Sequence, residues 1–130
     1  RQMCIRDRAR VDWVASDPYA SSVARHYNSS ISANASNLMI AIGAARFDGR
    51  APDGVLVSTF SGYDPKVTSA GTFTLSWPGT GEMVQRAQTQ IRATSDPIRW
   101  VFDGKRAADA AVALLRSEGI TGIQVVHVPA

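Results

Sequence analysis

From Ile98 onward the chain changes its apolar period twice, and this restricts the possible folds more than any other feature. Ile98 to Phe102 is a short β-branched and aromatic run that follows the breaker Asp96-Pro97. Asp103 is then a helix N-cap, apolar residues recur at helical spacing from about Lys105 to Ser117, and Gly119 is the expected C-terminal glycine. Gly122 to Val128 is extended again. Two strands joined by a helix cannot form a tight hairpin, so they are expected to pair in parallel through a right-handed crossover. Trp100 and Phe102 share one strand face and are expected to pack beneath the helix.

Upstream, Thr80 is expected to cap a helix over roughly Gly81 to Thr94. Its buried stripe is Met83, Ala87 and Ile91, with Gln85, Arg86, Gln88 and Arg92 facing elsewhere. Val55 to Phe60 reads as a largely buried strand returning from the turns Asp48-Gly49 and Pro52-Asp53-Gly54. Leu38 to Ile42 with Ala44 to Phe47 is either one strand or a strand bulged at Gly43. Gly62 to Gly71 is a loop, and Thr72 to Trp77 a short extended piece. Val11 to Ala33 is read as a first helix, with Asp17 as cap, Pro18 at its start and Tyr19, Val23, Tyr27 and Ile31 on one face. The resulting order, αβββ(β)αβαβ, predicts an α/β domain with a mixed sheet flanked by helices.

A length of 130 residues gives one domain with a single core. The longest apolar run, Leu38 to Ala45, is eight residues, far short of the about 20 a membrane helix needs. The net charge of +3 invites a nucleic-acid reading, but residues 1–8, Arg1 to Arg8, resemble translated sequencing-adapter reads at the ends of assembled environmental genes. Without them the charge falls to +1 and the lone cysteine, Cys4, is lost, which leaves no basis for a disulfide framework or a cysteine zinc site. Residues 9–130 are taken as the domain, with the natural chain expected to begin further upstream.

Several other chemistries lack their residues. His26 and His127 have no Ser/His/Asp or paired-histidine spacing around them, and Gly79-Thr80-Gly81 lacks the lysine of a phosphate loop. Arg86, Arg92, Arg99 and Arg106 are interspersed with acidic residues and read as a solvated face. Trp77 could stack on a nucleic-acid base, but a core role is the simpler reading.

The segments Arg46-Phe47-Asp48-Gly49, Gly54-Val55-Leu56-Val57, Gly62-Tyr63, Met83 to Gln90, Pro97 to Phe102, Ala107 to Ala110 and Gly119 to Pro129 follow one another in a telling order. Over Tyr27 to Pro129 the chain resembles the restriction endonuclease fold toxin 5 domain, a module at the C-terminal ends of bacterial polymorphic toxins. The resemblance implies a restriction-endonuclease-like core of order αβββαβ, here with an added C-terminal helix and strand. It also implies a Mg²⁺-dependent DNA nuclease, secreted or delivered into a target cell and neutralised by an immunity protein. In such a site two carboxylates hold Mg²⁺ against the scissile phosphate and a lysine stabilises charge.

Asp48 matches the family's first carboxylate, whereas Ser58 and Phe60 stand where its second carboxylate and its lysine belong. A hydroxyl is a poor Mg²⁺ ligand and a phenyl ring carries no charge, so the resemblance points to a catalytically degenerate member. In that reading Ser58 and Phe60 are expected to face Asp48. A second register, Pro52-Asp53 followed by Asp64-Pro65-Lys66, spells a nuclease pattern in which Asp48 or Asp53 with Asp64 holds the metal and Lys66 assists. Pro65 argues against a central strand there. That active alternative requires two carboxylates roughly 4–6 Å apart across an ion. Glu82 is a further candidate ligand, although a first-turn glutamate also suits the helix dipole. Gln90 matches a recurring family glutamine, while its helix position alone reads as solvated. A third reading is an α/β binding domain unrelated to nucleases.

Overall fold

The computed structural model describes residues 11–15 and 38–129. Three strands, β1 (Val11–Ala15), β2 (Leu38–Ile42) and β3 (Ala45–Phe47), form an antiparallel sheet in the order β1-β2-β3. A second sheet has the order β4-β5-β6-β7, from Gly49–Arg50, Leu56–Phe60, Ile98–Phe102 and Ile123–His127. β4 pairs antiparallel with β5, while β5-β6 and β6-β7 are parallel. Helices α1 (Pro78–Ala93) and α2 (Lys105–Ser117) provide the crossovers between the parallel strands. The chain is thus α/β with a mixed sheet and two helices among the described residues.

The C-terminal β-α-β unit forms as its residue pattern predicts. Gly119 adopts φ 68°, and the Ile120 amide donates back to the Leu115 carbonyl at 2.9 Å, the closing bond of a glycine-terminated helix. The start of α2 differs from expectation. Gly104 occupies the cap position, and the first-turn Ala107 amide donates to the Asp64 carboxylate at 2.7 Å, reaching over from the loop after β5. Asp103 instead accepts from the Gly62 amide.

Four other expectations are corrected. Val11–Ala15, placed in a first helix by sequence, is strand β1, because its β-branched and aromatic residues find a ladder on β2 and the helix-start signals Asp17-Pro18 lie beyond it. The remainder of that helix, including Tyr19, Val23, His26, Tyr27 and Ile31, lies outside the described residues. Leu38 to Phe47 is a hairpin rather than one strand: Gly43 takes φ 58°, and Ile42 pairs with Ala45 across a two-residue turn. Thr72 to Trp77 forms no strand, only a bridge between Val67 and Phe73, closed by the turn at Gly71. Pro78 rather than Gly81 begins α1, as proline suits the first helical position. Thr80 lies inside the helix and donates its hydroxyl to the Thr74 carbonyl.

Both helices pack on one face of the four-stranded sheet. There Leu56, Phe60, Ile98, Trp100 and Phe102 meet Met83 and Ala87 of α1 and the alanines and Leu115 of α2. The small side chains of α2 let it approach the ring layer, in which Phe60 stacks on Phe102 at 4.7 Å and lies 4.8 Å from Trp100. Val57 and Val101 are buried on the opposite face with Ala51 and Val126 beside them.

Candidate functional site

Asp48 is the single residue between β3 and β4, where the chain leaves one sheet and enters the other. Its amide donates at 2.8 Å to the carbonyl of Val57, the residue that Gly49 already opposes, so the β4-β5 register does not extend to Asp48. Beyond that point β4 no longer covers the edge of β5, and the Asp48 carboxylate takes over. It accepts from the Thr59 amide at 2.6 Å and from the Thr59 hydroxyl at 3.2 Å. Burial raises its pKa above the usual carboxylate range; the Thr59 amide bond and the Arg86 guanidinium partly offset this. Arg86 itself lies 5.4 Å over the Phe60 ring. Tyr63, whose pKa is raised chiefly by burial, feels the charges of Arg86, Glu82 and Asp48, so these four side chains form one electrostatic group.

Alternation along β5 sends Ser58 and Phe60 to the helix-covered face. Ser58 is 1% exposed and its hydroxyl accepts from the Gln90 side-chain amide at 2.9 Å. The same amide group donates to the Arg46 carbonyl, and the Gln90 carbonyl accepts from the Trp100 indole N–H at 2.8 Å. Gln90 is therefore fully buried rather than solvated, and it ties α1 to β3, β5 and β6 at once. Helical spacing from Thr80, Met83 and Ala87 to Gln90 contained this signal, since the four residues form one buried stripe. Ile91, expected in that stripe, is only half-buried. Phe60 is 2% exposed and held among rings on the same face.

These surroundings do not suit Mg²⁺. At the three matched positions the structure provides one carboxylate, one hydroxyl already accepting from Gln90, and a ring. One Asp48 oxygen, Oδ2, receives both the amide and the hydroxyl of Thr59. No group of three or more His, Cys, Asp or Glu residues with metal-holding placement occurs among the described residues.

In the second register, Asp53 and Asp64 stand at opposite ends of β5. Asp53 lies in the turn before β5, where Arg99 of β6 holds it at 3.0 Å and keeps its pKa below the usual range. Asp64 lies after β5, on the α2 N-terminus, and Lys66 stands 5.7 Å over the Trp77 ring. Five strand residues, about 13 Å end to end, separate the two carboxylates' attachment points. The structure therefore separates Asp53 from Asp64 where an ion would need both. Trp100 and Phe102 are core residues as expected, and Trp77 is half-buried against Tyr63 and Phe73. Glu82 is exposed in the first half of α1, and His127 is exposed at the end of β7 with its ring nitrogen 3.2 Å from the Asp103 carbonyl.

A scan against protein-family models and a search of curated proteins each found no match to this chain. Among the described residues no helix is long and apolar enough to cross a membrane.

Proposed function

We propose that this chain is a catalytically silent domain of the restriction-endonuclease-like toxin class, one that keeps the scaffold of a nuclease site and acts by binding. The observation that carries this reading is the use made of the three matched positions. Asp48 closes the edge of β5, Ser58 is a hydrogen-bond acceptor for a buried glutamine, and Phe60 is a packing residue. At these three positions each side chain has a structural task, and only Asp48 carries a group able to hold a metal ion. An immunity protein or DNA is the partner class that the resemblance implies for the remaining surface.

One observation favours the alternative of an α/β binding domain unrelated to nucleases. The Asp48 carboxylate joins Thr59, whose side chain alternates to the face opposite Ser58 and Phe60, where a shared site would bring all three together.

The deciding experiment incubates the full chain with supercoiled plasmid in the presence and absence of Mg²⁺ or Mn²⁺, beside Asp48→Ala and Lys66→Ala variants. The expected result is nicking no greater than that of the Asp48→Ala protein. Metal-dependent nicking that either substitution abolishes would overturn the silent reading and restore an active endonuclease.

A further inference from the structure

Among the described residues, β7 is an edge of the four-stranded sheet with no strand paired beyond it, and its sequence Ile-Gln-Val-Val-His carries no Lys, Arg, Asp, Glu or proline. Natural edge strands are ordinarily protected by such residues, by bulges or by a covering element. The Val128 amide donates to the Phe102 carbonyl, so alternation directs the backbone groups of Gln124 and Val126 toward β6. Those of Ile123, Val125 and His127 point away from it. Beside this edge runs an apolar groove of about 360 Å³ between α2 and β7, lined by Val112, Leu115, Arg116, Ile120, Ile123 and Val125. Val112 is 38% exposed at its rim.

We propose that β7 and this groove form the two-fold seam of a homodimer, occupied by a second copy of the same chain. Charge complementarity selects this occupant. Asp109, Val112 and Arg116 share one stripe of α2 at i, i+3 and i+7, all of them exposed, with Asp109 also paired to Lys105 at 3.0 Å on its own helix through an exposed contact that a partner's arginine can share. A two-fold axis beside Val112 sets α2 antiparallel to its copy and brings Asp109 against the partner's Arg116 on both sides of the axis. The same axis passes the middle of β7, since Val112 and Val125 line one groove. Antiparallel pairing about Val125 then matches Val125 with its own copy and Ile123 with the partner's His127. These are the three residues of β7 whose backbone groups face outward. Strand register, helix charge pattern and groove position thus share one symmetry operation. The two sheets would join into one continuous sheet, and the apolar groove would close between antiparallel helices.

Sedimentation equilibrium of the full chain over a concentration series tests the proposal. The expected result is a reversible monomer–dimer equilibrium with a limiting mass twice the 13.9 kDa chain. Arg116→Asp and Asp109→Arg are each expected to weaken association by roughly tenfold or more, because each sets like charges together across the seam. The double variant, which restores opposite charges, is expected to recover most of the loss. All these side chains are on the surface, and a thermal melt of each variant verifies that the fold is retained. A single-chain mass at every concentration overturns the proposal, as does a dimer whose affinity ignores both single substitutions.

Discussion

Asp48 illustrates how one side chain can be shaped by where the backbone leaves it. Its carboxylate substitutes for the missing continuation of β4, and the stability this gives has a definite pH dependence. Because burial raises its pKa on folding, the folded chain binds a proton more tightly than the unfolded chain. Between the ordinary carboxylate value and the raised one, the native state therefore holds more protons. This contribution to stability is highest below that window, falls as pH rises through it, and is level above. Asp48→Asn keeps an oxygen that accepts from Thr59 and loses the charge. It is expected to be more stable than the parent chain at neutral pH, with the difference shrinking on acidification. Urea unfolding across a pH series reads this directly, and an Asp48→Asn chain less stable at neutral pH would refute it. Little of this was legible beforehand: the Asp48-Gly49 pair announces a turn, but the bond to Thr59 depends on which strand returns alongside and where β4 stops.

At the scale of elements, the caps show why local signals identify helices better than their ends. The apolar periodicity of α2 and its terminal glycine were plain in the sequence, yet the side chain that serves its first turn comes from Asp64, far away in the chain. That arrangement also dictates Gly104, where a Cβ would collide with the Asp64 carboxylate. Gly104 has φ −112°, an ordinary extended value, so the glycine is required by space and not by backbone conformation. Asp64→Ala is expected to cost about 1 kcal/mol through the lost cap. Gly104→Ala is expected to cost about 1–3 kcal/mol by overpacking, and far less in the Asp64→Ala background. Unfolding free energies of the four proteins form a double-mutant cycle, and strict additivity would contradict the collision. The β2-β3 hairpin carries a similar lesson. Gly43 was noticed, but a bulge and a reversal use the same residue, and only pairing between Ile42 and Ala45 distinguishes them.

For the molecule as a whole, the parallel β6-β7 crossover was readable because a strand-helix-strand unit leaves few topologies, whereas the parallel pairing of β5 with β6 was not, because Val55 to Phe60 signals only a strand returning from the turns before it. The division into two sheets was not, since it depends on a change of partner at one residue. Gln90 is wholly buried and would be missed by composition, because a glutamine on a helix is usually wet. Its bond to Trp100 has a consequence for measurement. The Trp100 indole proton is sealed by a residue with no exposed surface, and it rests on a helix, a hairpin strand and two sheet strands together. Small local openings do not uncover it, so its exchange with deuterated solvent should follow only the rare complete unfolding of the domain. One resolved indole signal in a proton spectrum then serves as a gauge of global stability under native conditions, with no denaturant and no added label.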